Sequence, residues 1–447
     1  MLLSEAASGL IDLIEQNGYE AYAVGGCVRD NIMNRVYDDI DIASSAKPNE
    51  LECILNDNNI KFVETGIKHG TITVLYNNFS FEVTSFRADG NYFDSRHPEN
   101  VTFVCDIEED LARRDFTVNA MAYNNRKGLI DLYGGCDDIE NGIIRAVGDA
   151  DKRFKEDALR IMRSVRFASV LGFELEKNTE KAAFDNKELL KNVSAERIYA
   201  ELSKLLMGEN VFRVLVKYKE IIAVCVPELE YIFNVEQNTK WHIYDVWQHT
   251  AKAVEQSPKD LAIRYTMLLH DLGKAFSKTT DENGTDHFKG HQKISESYAD
   301  CALKRLKTPK EIYNRVMAVV PIHDIHIGSD RKNVKKWLSK LGESTLRDLV
   351  EVKRADKLAQ NPEMTAPEIK RLDITESIID DIIMNGEPFT IKDLKINGND
   401  IMLLGFKGRQ IGEIQKALLD MVINENLKNE KVSLIDAVKK CFMTDYD

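Results

Sequence analysis

The feature that most constrains this chain is a glycine turn followed closely by two aspartates. Gly25-Gly26 ends an apolar run, Ala21–Val24, and Asp39-Ile40-Asp41 follows shortly afterwards. A glycine pair lets the backbone approach a phosphate closely, and Arg29 adds a forked donor for phosphate oxygens. If residues 39–43 form a strand, the i and i+2 carboxylates leave the same face. This pattern predicts a two-magnesium phosphoryl-transfer site; the alternative is a glycine turn before an aspartate-rich surface loop.

Six further segments of the chain follow this motif. They are Thr65–Thr71, Phe81–Arg87, Tyr92–Pro98, Arg113–Ala122, Asp131–Gly135 and Glu156–Arg160. Together with the first motif they resemble nucleotidyltransferases related to DNA polymerase β, specifically the class II tRNA nucleotidyltransferases and bacterial poly(A) polymerases. The resemblance implies an α/β nucleotidyltransferase head, with helices on a DNA polymerase β-like mixed sheet. It implies that an all-α neck, body and tail follow, with an HD domain inside the body.

The resemblance also implies a reaction and the residues that perform it. Such enzymes add CCA to the 3′ end of tRNA from CTP and ATP, with Mg2+ in the head and no nucleic-acid template. The catalytic magnesium ligands would be Asp39 and Asp41. The nucleotide-binding residues would be Gly26, Arg29, Arg114, Asp115, Asn119, Asp157, Arg160, Arg163 and Arg166. Glu82 could add a third carboxylate, although its apolar neighbours also fit a plain edge strand.

The segment Glu156-Asp157-Ala158-Leu159-Arg160 is the candidate for choosing the nucleotide. Its spacing predicts that Asp157 and Arg160 lie on one helix face as i, i+3 neighbours. The aspartate can accept from an exocyclic amine and the arginine can donate to ring acceptors, a pattern that both cytosine and adenine present. The alternative is an ordinary i, i+4 salt bridge between Glu156 and Arg160. The resemblance favours nucleotide selection, because the family motif Glu-Asp-x-x-Arg is matched at every fixed position.

A second group of polar residues lies further along the chain. Seven of the nine histidines fall between positions 242 and 326. The pair His270-Asp271 follows an apolar helical run, and with a histidine upstream and an aspartate downstream it resembles the HD phosphohydrolase superfamily. The expected metal ligands are His249, His270, Asp271, His291, His323 and Asp356. Imidazole and carboxylate ligands suit Mn2+, Ni2+ or Co2+, with Mg2+ also possible. His291 and His323 go beyond the minimal ligand set and indicate a second ion.

The length of 447 residues requires more than one domain. Alternation predicts strands at Ile60–Val63, Thr71–Tyr76 and Phe79–Phe86, with Asn77-Asn78 as a hairpin turn. An amphipathic helix is expected over the first 14 residues or so, and helical periodicity dominates after Ala150. The expected domains are a head at 1–145, a neck at 146–207, a body with the HD domain at 208–375, and a tail at 376–447.

Charge and cysteine usage limit the partners and the compartment. The net charge of −13 is unusual for a protein that binds nucleic acid, so tRNA contact requires local basic patches. One such patch covers residues 151–168, which include six basic residues. Seven scattered cysteines without a Cys-x-x-Cys pair indicate reduced thiols and a cytoplasmic location. We expect tRNA, CTP and ATP as partners, with no membrane contact and no obligate protein partner.

Two alternatives remain open from the sequence. The first is narrower specificity: an enzyme that adds only A, or a poly(A) polymerase. The resemblance of Tyr92–Pro98 to the flexible loop argues against CC-only addition, since CC-adding members lack that loop. The second makes the HD phosphohydrolase the main activity and the head a degenerate RNA-binding module. The intact Asp39, Asp41 and Arg114 argue against the second.

Overall fold

The structure is a computed structural model that describes residues 3–37, 39–66, 70–89 and 101–443. The chain divides into two compact units. The first runs to Pro227 and includes the short segment Arg305–Lys307, and the second comprises the rest of the chain from Glu228 onwards. Part of the expected turn Thr65–Thr71 and all of the expected loop Tyr92–Pro98 lie outside the described residues.

A seven-stranded mixed sheet forms the centre of the head. The strands of the chain are β1 (Ala21–Val24), β2 (Asp41–Ser44), β3 (Lys61–Gly66), β4 (Thr71–Tyr76), β5 (Phe79–Ser85), β6 (Arg87–Asp89), β7 (Val101–Phe103), β8 (Met121–Asn124), β9 (Gly128–Asp131), β10 (Ile143–Ile144), β11 (Glu174–Leu175), β12 (Thr279–Thr280) and β13 (Asp286–His287). The sheet order is β3-β4-β5-β2-β1-β8-β9, and β2 and β5 are the parallel pair within it. The other strands form three two-stranded pairs.

The strand predictions for the head are confirmed. The strands β3, β4 and β5 lie where alternation placed them, and β4 and β5 pair in antiparallel register through the turn at Asn77 and Asn78. Both asparagines have positive φ, 49° and 67°, which a tight two-residue hairpin turn requires. Asparagine adopts this conformation at low cost.

Both faces of the sheet are buried at β1, one of its central strands. Ala21, Ala23 and Ile42 face one apolar cluster, which the helices α1 (Glu5–Gln16), α2 (Gly26–Ile32) and α3 (Pro48–Asp57) complete. Tyr22 and Val24 face a second cluster on the opposite side. Because successive strand residues point to opposite faces, β1 is apolar at all four positions and buried throughout. This burial fixes the central strands that carry the candidate site.

Helices account for most of the remaining chain. Those of the first unit are α1 (Glu5–Gln16), α2 (Gly26–Ile32), α3 (Pro48–Asp57), α4 (Ile107–Ala112), α5 (Gly135–Asn141), α6 (Ala150–Glu156), α7 (Leu159–Leu171), α8 (Lys177–Asp185), α9 (Ala195–Leu206), α10 (Val211–Lys217) and α11 (Lys219–Cys225). The expected amphipathic helix at the start of the chain is confirmed as α1, which buries Leu10, Ile11 and Ile14.

The second unit is almost entirely helical. Its helices are α12 (Val246–Gln256), α13 (Leu261–Leu269), α14 (Lys274–Ser277), α15 (His291–Arg305), α16 (Lys310–Val319), α17 (Arg331–Leu341), α18 (Glu343–Leu358), α19 (Pro362–Met384), α20 (Gly398–Met402), α21 (Arg409–Ile423) and α22 (Lys431–Phe442). The expected boundary between residues 375 and 376 falls inside α19. A mixed-sheet head followed by a mostly helical region confirms the fold class, and the short pairs β10–β11 and β12–β13 are small additions to the helical part.

The described helices give no sign of a membrane segment: each is too short or too polar to span a bilayer. All seven cysteines are free thiols.

Candidate active site and candidate metal centre

The glycine turn of the head joins β1 to α2. Gly25 has a φ of 75°, and a Cβ at this position would lie 3.1 Å from Nη1 of Arg114. Both the backbone conformation and the close arginine therefore favour glycine here. The next residue, Gly26, begins α2. The turn thus lies beside the Arg114 guanidinium, whereas the sequence analysis named only Arg29 beside it.

The carboxylates lie beside this turn, with one correction to the prediction. The strand β2 begins at Asp41, so Asp39 precedes the strand, although both carboxylates line the same cavity and the charge of Asp39 acts on Asp41. Pairing between β1 and β2 ends at Val24 and Asp41, because the positive φ of Gly25 turns the chain away into α2. In the parallel partner strand, Glu82 is the direct neighbour of Asp41. Glu82 therefore lies next to Asp41, where a third carboxylate would be expected. The sequence analysis had left this residue undecided.

The electrostatics of these carboxylates suit a bound cation. Burial raises the pKa of Asp41, and the charge of Glu82 raises it further, against a lowering by Arg114 and a smaller rise from Asp39. Like charges held together disfavour ionisation, and a divalent cation would relieve that repulsion, so the residues fit Mg2+. In the described part of the head, these carboxylates do not form a set of three ligand atoms within 4.8 Å of one another.

Most arginines of the predicted nucleotide site already have anionic or polar partners. The Arg29 guanidinium donates to both Asp30 oxygens, at 2.9 and 2.8 Å, and to the amide oxygen of Asn119 at 2.6 Å. Arg163 pairs with Asp115 at 2.6 Å. Although burial raises the pKa of Asp115, Arg163 and a hydrogen bond from Asn119 lower it to about 2. This network fixes the floor of the site before any ligand binds.

The nucleotide-selecting segment differs from the predicted helix face. The helix α6 ends at Glu156 and α7 begins at Leu159, with Asp157 in extended conformation between them. The prediction that Asp157 and Arg160 share one helix face is therefore wrong. The Asp157 carboxylate accepts from the Leu159 amide at 3.1 Å and so begins a new helix.

The side chains of Asp157 and Arg160 form several hydrogen bonds and ion pairs with neighbouring elements. The predicted alternative of a Glu156–Arg160 ion pair is present at 2.8 Å. Arg160 also donates to two backbone carbonyls, those of Arg153 and Arg113, at 3.2 and 2.8 Å. The second oxygen of Asp157 accepts from Arg197 of α9 at 2.8 Å.

All the head residues that the sequence singled out line one cavity of about 800 Å³. It also contains side chains that the sequence analysis missed: Arg197, Lys204, Arg113, Arg87 and Phe167. The Arg166 guanidinium lies 3.6 Å from the centre of the Phe167 ring, a cation–π contact. Arg197 and Lys204 are seven residues apart on α9. No recognised motif lies next to this helix, so only their positive charge could have indicated that they belong to the site.

In the second unit, four predicted ligands converge on one point. The Nε2 atom of His249 lies 3.0 Å from Oδ1 of Asp356, and Nε2 of His270 lies 3.1 Å from Oδ2 of Asp271. The cross distances, His249 to Asp271 and His270 to Asp356, are 3.6 and 3.8 Å. Ligands about 2.1 Å from one metal ion are separated by distances of this size. Nε2 of His270 is buried without a hydrogen bond, while Oδ2 of Asp271 lies 2.8 Å from the Lys274 ammonium; the donor set fits a metal ion.

His291 and His323 form a second set with the same aspartate. Their Nδ1 atoms lie 2.8 and 2.7 Å from the carbonyls of Phe288 and Val320. A carbonyl only accepts, so Nδ1 carries the proton and a neutral ring leaves a bare lone pair on Nε2. The two Nε2 atoms lie 3.0 Å apart, and Oδ1 of Asp271 lies 3.4 Å from that of His291. Lone pairs facing each other at this distance fit a cation between them.

The two carboxylates of this centre attract positive charge, and they affect the neighbouring histidines differently. Burial alone would lower the pKa of His270, but the charges of Asp271 and Asp356 raise it to about 9. For His323, burial and the neighbouring His270 lower the pKa to about 3. The two carboxylates stay ionised, since the pKa of each is well below its usual range.

Gly273 allows the His270-Asp271 turn to approach α15. A Cβ at this position would lie 2.1 Å from the carbonyl oxygen of His291 and 2.8 Å from the amide nitrogen of Ser295. The Gly273 amide donates to the Ser295 hydroxyl at 2.9 Å. Backbone contact at this distance requires glycine, and it holds His291 next to Asp271.

Comparison with known families finds three matches along the chain. Residues 21–145 match a family model described as Poly A polymerase head domain. Residues 172–232 match one described as probable RNA and SrmB-binding site of polymerase A. Residues 286–438 match one described as tRNA nucleotidyltransferase domain 2, putative.

Relatives with known activity extend the match along the chain. A CCA-adding enzyme of Pediococcus pentosaceus is 33% identical over 438 residues, which cover 98% of each chain. One from Geobacillus stearothermophilus is 48% identical over 211 residues, 47% of this chain and 51% of that enzyme. The crystal structure of the Bacillus stearothermophilus CCA-adding enzyme in complex with CTP is similar over 98% of both chains, with a TM-score of 0.73 and 29% identity. A Thermotoga maritima CCA-adding enzyme complexed with tRNA shares the fold, with a TM-score of 0.57 at 20% identity.

These matches and the head fold define a tRNA nucleotidyltransferase, which confirms the class implied by the sequence motifs. Because the similarity to the Pediococcus enzyme extends over nearly the whole of both chains, the family can be stated more closely. The chain belongs to the family of CCA-adding enzymes.

Proposed function

We propose that this chain adds CCA to the 3′ end of tRNA from CTP and ATP by two-metal phosphoryl transfer. The observation that carries the proposal is the head cavity, whose lining includes Asp39, Asp41 and a cluster of arginines. CCA-adding relatives complexed with CTP and with tRNA support the choice of substrates.

Different residues of the site have different roles in this reaction. Bound Mg2+ would be held by Asp39 and Asp41, with Glu82 as a third ligand, and would lower the pKa of the tRNA hydroxyl and stabilise the leaving pyrophosphate. Gly26 and Arg29 position the triphosphate on the turn before α2. Arg114, Asp115 and Asn119 orient the sugar, and Arg163 and Arg166 place positive charge along the nucleotide.

The base is chosen by Asp157 and Arg160. An aspartate oxygen accepts from the exocyclic amine of cytosine or adenine, and the arginine donates to the adjacent ring acceptor. Uracil and guanine present the opposite pattern at these positions, and an unpaired polar group in a closed site is costly. Arg197 donates to the Asp157 carboxylate, and Glu156 forms an ion pair with Arg160. These contacts fix the two side chains that would contact the base.

The experiment that tests this function uses two tRNA substrates. We expect tRNA without its CCA to take up CTP and then ATP, and tRNA ending in CC to take up one ATP only. Each nucleotide is supplied singly and the products are measured by length. Addition of A alone would identify an A-adding enzyme, and repeated addition of A would identify a poly(A) polymerase.

Replacing Arg160 with alanine should damage nucleotide choice more than chemistry. The preference for CTP over UTP should fall about tenfold or more, because a charged donor to the base is lost. The measurement is the relative kcat/KM for the four nucleotides, with Arg213→Ala as a control, since Arg213 on α10 lies outside the cavity. An equal fall for all four nucleotides would assign Arg160 to the fold or to the phosphates.

A second function is favoured by the ligand geometry of the second unit. We propose that His249, His270, Asp271 and Asp356 hold one divalent ion, and that Asp271, His291 and His323 hold another. The facing Nε2 atoms of His291 and His323 are the observation that favours this. Mn2+, Ni2+ or Co2+, or Mg2+, would supply a water made nucleophilic near neutral pH. Hydrolysis of 2′,3′-cyclic or terminal phosphates would let one chain repair a damaged tRNA end.

We propose the domain limits that the sequence analysis indicated. The head occupies 1–145, the neck 146–207, the body with the HD domain 208–375 and the tail 376–447. The end of the matched head family at residue 145 supports the first limit.

A further inference from the structure

Two threonines lie beside the carboxylates on the sheet face that carries Glu82. Thr84 follows Glu82 by two residues on β5, and Thr71 is the first residue of β4. Because side chains two residues apart on a strand point to the same face, Thr84 shares the face of Glu82. Thr71 is the direct partner of Thr84 in the antiparallel ladder. Both threonines line the head cavity together with Glu82.

The two threonine hydroxyls form a pair with unused hydrogen-bonding positions. The hydroxyl oxygens of Thr71 and Thr84 lie 3.0 Å apart, within hydrogen-bond distance. Each hydroxyl has one donor and two acceptor lone pairs, so a bond between them leaves one donor and the remaining lone pairs for a ligand. Both side chains are half-buried at the cavity wall. Such a pair suits a neutral group that both donates and accepts, as another hydroxyl does.

The backbone before Thr71 holds this pair in place. Gly70 has a φ of 81°, and its carbonyl accepts from the Ser85 amide at 2.9 Å. A Cβ on Gly70 would lie 2.7 Å from the Phe103 ring, so the close approach to β7 favours glycine. The hydroxyl pair is therefore a fixed part of the cavity wall.

The strand order separates this pair from the main group of cations. Asp41 begins β2, which lies between β5 and β1 in the sheet. Arg29 follows β1 and Arg114 precedes β8, so both belong to segments on one side of β2. Thr84 and Thr71 lie on β5 and β4, on the other side.

This separation has a consequence for the reaction proposed above. In phosphoryl transfer, the attacking oxygen and the leaving group lie in line, on opposite sides of the phosphorus. The arginines attract the triphosphate and with it the leaving pyrophosphate. The attacking end of the tRNA therefore comes from the side of β4 and β5. Arg87, directly after β5, is the cavity cation on this side, where a phosphate of the tRNA backbone would meet it.

We propose that Thr71 and Thr84 bind the 2′-hydroxyl of the terminal ribose of the tRNA. The inference rests on the nucleotidyl transfer proposed above and names one subsite of it. The neighbouring 3′-hydroxyl is the attacking group, so a hydrogen bond to the 2′-hydroxyl fixes the sugar and leaves the nucleophile free. The 2′-hydroxyl both donates and accepts, which matches the unused positions of the threonine pair.

The test combines a change in the protein with a change in the tRNA. The substrates are two tRNAs that end in CC, one with a terminal ribose and one with a terminal 2′-deoxyribose, and ATP is the nucleotide. The proteins are wild type, Thr71→Val, Thr84→Val, Thr84→Ser and the control Thr102→Val, at an exposed threonine on β7 outside the cavity. Valine keeps the branched shape of threonine without the hydroxyl, and serine keeps the hydroxyl.

The measured quantity is the kcat/KM for the ribose-ended tRNA divided by that for the deoxyribose-ended tRNA. Loss of the 2′-hydroxyl changes the intrinsic reactivity of the sugar equally for every protein, so only a difference between proteins reports the contact. We expect this ratio to fall about fivefold in each valine variant. It should recover in Thr84→Ser and equal the wild-type value in Thr102→Val, and the KM for ATP should stay unchanged in all of them.

The ratio does not depend on the fraction of folded protein, so a loss of stability cannot imitate the expected result. Equal ratios in wild type and both valine variants would overturn the assignment and leave the pair a cross-strand contact. A raised KM for ATP with an unchanged ratio would overturn it as well, since the pair would then serve the incoming nucleotide. Failure of wild type to extend either tRNA would overturn the nucleotidyl transfer itself, and this inference with it.

Discussion

Replacing Asp41 with alanine should reduce nucleotide addition by about a thousandfold or more, equivalent to about 4 kcal/mol of transition-state stabilisation. Asp41 is the first residue of β2 and the direct neighbour of Glu82 on β5, so its loss removes a ligand from the centre of the proposed metal site. Binding of tRNA should change little, because the arginine cluster is untouched. The measurement is single-turnover addition of CMP and AMP at saturating nucleotide.

The control for this experiment is Asp57→Ala, at the exposed end of α3. It removes the same charge from the same unit and should leave addition unchanged. Melting curves exclude unfolding as the cause of any loss. Addition within about tenfold of wild type in the Asp41 variant would show that the metal assignment is wrong.

Replacing His270 and Asp271 together with alanine should abolish metal binding in the second unit and any phosphoesterase activity with it. Asp271 contributes one oxygen to each ligand set, so both ion positions lose a ligand at once. Hydrolysis should fall by about a thousandfold or more, while extension of tRNA continues. Metal content by mass spectrometry and turnover of a cyclic phosphate are measured on the same sample.

An exposed His–Asp pair in the same unit gives the matched control. His287 and Asp281 lie 3.0 Å apart at the surface, and their double alanine variant should keep its metal. If the His270 and Asp271 variant retained its full metal content, the ligand assignment would be refuted. Stoichiometric metal in wild type with no turnover would leave the centre structural.

The periodic strands of the head could be predicted from the sequence. The exact ends of strands and helices could not. Alternation located β3, β4 and β5, because alternate burial imposes a period of two along a strand. The motif spacing could not show that β2 begins only at Asp41, because the positive φ of Gly25, directly after the neighbouring strand β1, ends the pairing there. Nor could it show that the helix breaks at Asp157, since the residues on either side are ordinary helix formers.

Tertiary pairing explains which site residues were missed. Each metal ligand of the second unit is a histidine or aspartate, residue types whose clustering in the sequence is itself unusual. Arg197 is an ordinary cation on an amphipathic helix, and its position in the site depends on Asp157, 40 residues away. Side chains of this kind are recognisable only once the helices are packed.

The contact at Gly273 has an evolutionary consequence. Because the backbone of α15 lies against this residue, any side chain there would push His291 away from Asp271, although Gly273 binds no ion itself. His249 and Asp356 lie on other helices, α12 and α18, away from that contact. A lineage released from selection for hydrolysis could therefore lose its second ion through one substitution at a non-ligand position. We expect decay of this centre to pass through one-ion forms before the His270-Asp271 pair disappears from the sequence.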